Sequence, residues 1–125
     1  MRKSLSALLI AAALSVGVVV TPASAAPLES GYGCNSLDSG MLCLAVEARN
    51  VGVVYAKGSG NPVWVRFGYD HAGGSHASPE EVEIYPDETK GTAWLEQNLQ
   101  CGQDIVGWMD VRGQRRFQTP PVRIC

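Results

Sequence analysis

The sequence predicts an all-β fold, a small antiparallel sandwich or barrel of six or seven strands held by two disulfides, and three observations carry that prediction. Beyond residue 26, apolar residues alternate with a period of two. Turn-forming residues punctuate these runs at spacings of about ten residues. All four cysteines fall in this same part of the chain, where no stretch sustains the period of an amphipathic helix.

Residues 1–25 are set apart. Arg2 and Lys3 precede an apolar run from Leu5 to Val20, and Ala23 and Ala25 then stand at the A-x-A spacing of a signal-peptidase site. We expect cleavage after Ala25, since this run is short for a membrane span of about 20 residues. Residues 26–33, "APLESGYG", are polar and read as a flexible arm; residues 34–125 form a single β-domain. The expected product is secreted and extracellular.

The strands follow in order. In "MLCLAVEAR", Leu42, Leu44, Val46 and Ala48 share one face while Cys43, Glu47 and Arg49 share the other. "VGVVYAK" repeats the alternation with Val51, Val53 and Tyr55, and "GSGNP" supplies a turn. "VWVRFGY" directs Val63, Val65, Phe67 and Tyr69 inward, "VEIY" directs Val82 and Ile84, and "DIVGWMDVR" groups Ile105, Met109 and Val111 with Gly107. "TAWLEQNLQ" fits neither period well and is left as strand or short helix; Trp94 and Trp108 are expected in the core. Near the C-terminus, a two-residue loop at Gly113 and Gln114 would set polar against apolar residues at each rung. A three-residue loop instead aligns Phe117 with Met109 and leaves Asp110, Arg112 and Arg116 outside, so the odd loop is predicted. Pro120 and Pro121 then end the strand, because proline cannot donate to a ladder.

Cys34, Cys43, Cys101 and Cys125 are an even set in a small exported chain, which reads as a disulfide framework. Four cysteines permit three connectivities. We expect Cys34 with Cys43 and Cys101 with Cys125, since each pair closes a local loop and the second ties down the chain end. Neither pair has zinc-type C-x-x-C spacing, so no metal and no cofactor is expected.

Charge excludes one class of function. Removing Arg2 and Lys3 from the ten basic residues leaves eight against twelve acidic ones, so no basic field exists to collect nucleic acid or anionic membrane. Catalysis would be sought in "DHAGGSHASPEE", Asp70 to Glu81, which holds His71 and His76 beside Asp70, Glu80 and Glu81. Its glycines and serines describe a solvated loop rather than a rigid support, and no nucleophile motif is present. A small secreted hydrolase built on this loop is thus the alternative, together with a carbohydrate- or surface-binding module.

The aromatic residues point toward binding. The alternation that buries Val65 and Phe67 turns Trp64 and Arg66 to the opposite face beside Gly68. Tryptophan and arginine dominate protein-binding hot spots, since each brings a large contact surface with a polar handle. The competing assignment is a face covered by a loop.

A small exported all-β chain with two disulfides, the second closing on its last residue, resembles the tendamistat group of actinobacterial α-amylase inhibitors. That group binds through a contiguous Trp-Arg-Tyr triplet, where this chain has Trp64-Val65-Arg66-Phe67. The size and leader also resemble the small linker subunits of secreted actinobacterial toxin particles. What the resemblances imply is a non-catalytic domain whose partner is another secreted protein, either an extracellular hydrolase or a large assembly subunit, with Trp64 and Arg66 as candidate contacts.

Overall fold

The computed structural model describes residues 31–124. The expected signal peptide, residues 26–30 of the expected arm, and Cys125 lie outside this range. Ten strands follow in chain order: β1 (Gly31–Leu37), β2 (Gly40–Glu47), β3 (Asn50–Lys57), β4 (Val63–His71), β5 (Gly74–Ala77), β6 (Val82–Ile84), β7 (Thr89–Trp94), β8 (Asp104–Val111), β9 (Arg116–Gln118) and β10 (Val122–Arg123). They form two antiparallel sheets, one ordered β1-β2-β3-β7 and the other centred on β4 and β8. In the second sheet β4 is flanked by β5 and β6, and β8 by β9 and β10.

The sheets pack face to face, which makes the fold a sandwich. Leu42, Leu44, Val46, Val51 and Val53 of the four-stranded sheet meet Val65, Phe67, Tyr69, Ile105, Met109 and Val111 of the other in one buried cluster. These are the inward positions that the period of two assigns. Ala48 departs from that expectation: β2 ends at Glu47, which pairs with Asn50, and Ala48 takes φ 54° in the tight turn between them. The ambiguous segment resolves into β7 through Trp94, followed by irregular chain to Gln103.

Three strands are additional to the sequence pattern, and each has a reason. β1 begins at Gly31, so Tyr32 and Gly33 belong to the sheet rather than to the arm. Its outward Tyr32 is polar-ended and its inward positions are Gly31, Gly33, Asn35 and Leu37, of which only the last is apolar and large, which hides the alternation; a Cβ on Gly31 would lie 2.2 Å from the Val122 side chain. β5 turns Asp70 to Glu81 from the expected solvated loop into a hairpin, with His71 opposite Gly74 and Tyr69 opposite His76. β10 pairs Val122 with Ile105 after the proline pair.

Both edges of the second sheet are interrupted in the same way. Ser78 donates its backbone N–H to the Phe67 carbonyl while its Oγ accepts the Phe67 N–H at 3.3 Å. Thr119 donates to the Gly107 carbonyl while its Oγ1 accepts the Gly107 N–H at 2.9 Å. At each place a hydroxyl stands in for the strand carbonyl, and a proline follows directly. The ladder groups of the inner strands stay satisfied although the edge strand has stopped. Broken edges of this kind also resist pairing with other chains.

The C-terminal hairpin has the expected odd register: Met109 faces Phe117 and Asp110 faces Arg116, with Gly113 at φ 80° in the turn. That φ lies in the left-handed region where glycine carries no steric penalty. Cys34 and Cys43, opposite one another on β1 and β2, are disulfide-bonded as expected. Cys101 is also disulfide-bonded, and the expected pairing with Cys125 ends outside the described residues.

Candidate functional site

Trp64 and Arg66 lie where the alternation of β4 places them, on the outer face of the six-stranded sheet. Trp64 is 39% exposed. The Arg112 guanidinium sits 5.0 Å from its ring centroid and is itself ion-paired to Glu81. That arginine holds the Glu81 carboxyl below its ordinary range by hydrogen bonding and charge. Arg66 lies opposite Asp110, but Arg116 takes both carboxylate oxygens of Asp110, at 2.7 and 3.0 Å. Arg66 therefore has no ion pair among the described residues. A half-exposed indole beside a cation that has no ion pair of its own and shares the charge of Glu81 with Arg112 is an arrangement an acidic protein surface can meet.

Trp108 is buried, at 2% exposure, as expected, but outside the cluster between the sheets. It lies on this same outer face, where its indole covers Gly68 so closely that a Cβ there would stand 2.0 Å from the ring. Its Nε1–H donates to Asp70 at 3.0 Å, and the Arg116 guanidinium closes over it at 3.7 Å. The sequence cue was the Gly68 and Trp108 pairing across β4 and β8, visible only once the register is known. Trp94, by contrast, is partly buried against the core and meets Tyr69 edge to face at 5.1 Å.

The two histidines come together on the inner face of the β4–β5 hairpin. Their Nε2 atoms are 3.0 Å apart, with ring centroids 5.1 Å apart and ring planes 15° from parallel. Gly73 donates its N–H to His71 Nδ1 at 3.1 Å, which assigns the His71 proton to Nε2 and makes His76 Nε2 the acceptor. Both His71 nitrogens are thus engaged. Burial and the neighbouring His76 lower the His71 pKa, with Asp70 opposing them. Asp70 faces outward with Ser75, which donates to it at 2.5 Å, so the carboxylate is not aligned with the histidine pair. Among the described residues no cluster of three or more His, Cys, Asp or Glu side chains is placed to hold a metal.

A second surface was missed by sequence reasoning. The outer face of the four-stranded sheet presents Tyr32, Ala45, Gly52 and Ala93 in one register row and Cys34, Cys43, Val54 and Gly91 in the next. Met41, Ala56, Ser36 and Thr89 complete it, and Glu47 at one corner is its one charge among the described residues. Solvent-facing sides of antiparallel sheets are ordinarily polar. The signal available in the sequence was the scarcity of Lys, Arg, Asp and Glu at these alternate positions, which small residues make easy to overlook.

In comparisons with known proteins the chain matches no family model, and neither a curated protein nor a solved structure shows significant similarity to it.

Proposed function

We propose that this protein is a secreted, non-catalytic adaptor that holds a different protein partner on each outer face of its sandwich. One observation carries the reading. The two faces lie on opposite sides of the core and differ in kind, one offering Trp64 beside Arg66, which has no ion pair among the described residues, the other a nearly charge-free apolar surface. No single flat contact covers both. The Arg66 face suits an acidic surface, and the apolar face suits a flat surface equally poor in charge. The disulfide is compatible with an extracellular setting, and the resemblance to linker subunits of secreted assemblies points the same way.

Recovery of the protein from its own culture medium tests this reading. The wild type is expected to carry two stoichiometric companions, of which Trp64→Ala with Arg66→Ala removes one and Gly52→Arg the other. Loss of the hot-spot pair should weaken its contact by about 1–2 kcal/mol or more. A single companion with hydrolase activity, released by the Trp64 and Arg66 substitutions alone, would instead establish an inhibitor. Recovery with no companion would overturn both.

A further inference from the structure

The most unusual residue of the core is Lys57. It continues the inward side of β3 after Val51, Val53 and Tyr55, so the alternation carries an ammonium into the space between the sheets, where it is 4% exposed. Its Nζ donates to the Ser59 carbonyl at 2.7 Å, and this is its one polar contact among the described residues. An ammonium has three N–H donors, and leaving two unmet at such burial is costly. Two residues back, Tyr55 is also 4% exposed, and its hydroxyl has no hydrogen-bond partner among the described residues. Burial raises its pKa, so it remains a donor at neutral pH.

Both side chains line the same cavity of about 360 Å³, which opens between the sheets at the end holding the β1–β2 and β8–β9 turns. A cavity of this size is within the range of small-ligand sites. Its lining is mainly polar toward the mouth, with Asn35, Ser36, Ser39 and Gln114, while Leu37, Val63 and Phe117 with the buried Met109 and Val111 give an apolar side. Arg115 reaches it from the β8–β9 turn, its guanidinium 5.0 Å from the Phe117 ring, and it too lacks an ion pair among the described residues. Asp38 is the carboxylate on the lining, and it pairs with neither cation. Two cations against one carboxylate leave a single positive charge.

We infer that this cavity is a binding site for a monoanionic carboxylate with an apolar body, the carboxylate received by Lys57, Tyr55 and Arg115 and the body by the walls between the sheets. The chemistry is shared by a free amphiphile and by the terminal carboxylate of a protein chain with an apolar last residue. The site is independent of the two outer faces.

Calorimetric titration of the full secreted chain with decanoate and with N-acetyl-leucine, each beside its methyl ester, tests the inference. At least one acid should bind, its ester at least about tenfold more weakly, since a charge-assisted hydrogen bond is lost. Binding by decanoate alone identifies a free amphiphile as the source, and binding by N-acetyl-leucine alone identifies a chain terminus. Lys57→Met, which keeps the apolar stem, should weaken the acid at least about tenfold and leave the ester unchanged. Arg115→Gln, at an exposed turn position, gives the same comparison in a variant whose core is untouched. Failure of both acids to bind, or equal binding of acid and ester, overturns the proposal.

Discussion

On the six-stranded sheet the outer face is closed by its own residues. Trp108 lies flat on Gly68 under Arg116, Arg116 is clamped by Asp110, and Trp64 is flanked by Arg112, itself paired to Glu81. Each large side chain there finds a partner within the face, Arg66 through the charge of Glu81 that Arg112 already holds. The outer face of the four-stranded sheet has no such layer. Tyr32 stands 73% exposed over the Cys34–Cys43 disulfide, its hydroxyl 3.6 Å from Cys43 Sγ, and the rows beside it are alanine, glycine and valine. The same sandwich thus has one face whose side chains hold one another in place around the candidate contacts Trp64 and Arg66, and one where, the disulfide apart, the side chains stand open to solvent.

The largest effect should come from the closed face. Trp108→Ala removes an indole that is as buried as a core residue and leaves Gly68 uncovered, the Asp70 carboxylate without that donor and Arg116 without its ring. We expect a loss of about 3 kcal/mol or more in denaturant unfolding, in the range of buried aromatic truncations. A loss below about 1 kcal/mol would break the comparison, since the face would then not be held by its own packing.

On the open face the corresponding support is covalent. Replacing Cys34 and Cys43 together by alanine reopens a loop with a sequence separation of 9. The chain-entropy model gives a loss of about 2–3 kcal/mol. Because β1 is the edge strand of that sheet, fraying should begin there, and hydrogen exchange should quicken at β1 and β2 before β4 and β8. Uniform quickening in both sheets would show that the two faces are not separately supported.

These elements differ in how much of them the sequence discloses. Inward residues of β2, β3, β4 and β8 are legible because alternation in a sandwich strand is a direct record of burial, and the β8–β9 register follows from refusing polar against apolar rungs. The outward position of Trp64 and Arg66 is legible for the same reason. The β4–β5 hairpin is not, because "HAGGSHAS" has the composition of a loop and its pairing depends on the Tyr69, His71 and His76 side chains meeting on one face. Trp108 is legible as buried, but burial does not specify which side of a sheet provides it. Lys57 carries no burial signal of its own in the sequence, and it is the β3–β4 turn that folds back over it through the Ser59 carbonyl.

The histidine pair separates the hairpin from both faces and predicts a smaller effect. A His71 pKa lowered from 6.5 means that the native state binds fewer protons than the unfolded chain. Its contribution is full above the unfolded value and is lost as the pH falls through 6.5 toward the lower native value. The denaturant midpoint should therefore drop between pH 7.5 and 5.5, above the range where ordinary carboxylates titrate. In His71→Gln with His76→Gln the drop should be reduced. An equal drop in that variant would assign the dependence to other groups.

The smallest effect on the fold, and the sharpest test of the open face, should come from Gly52→Arg. A Cβ at Gly52 would meet only the Ala45 carbonyl oxygen, at 4.0 Å, so nothing within the chain requires glycine there. Glycine in a strand interior is entropically unfavourable, and replacing it where the backbone is ordinary should leave stability unchanged or raise it, by no more than about 1 kcal/mol. The arginine would nevertheless stand in the row between Ala45 and Ala93 and put a charge at the middle of a face whose one charge among the described residues, Glu47, lies at a corner. If that face is a contact, the melting temperature should hold while the partner is lost, because a buried unpaired charge across an interface is strongly unfavourable. If the partner is retained at full affinity, the apolar rows are ordinary surface, and the Trp64 and Arg66 side of the sandwich must carry recognition by itself.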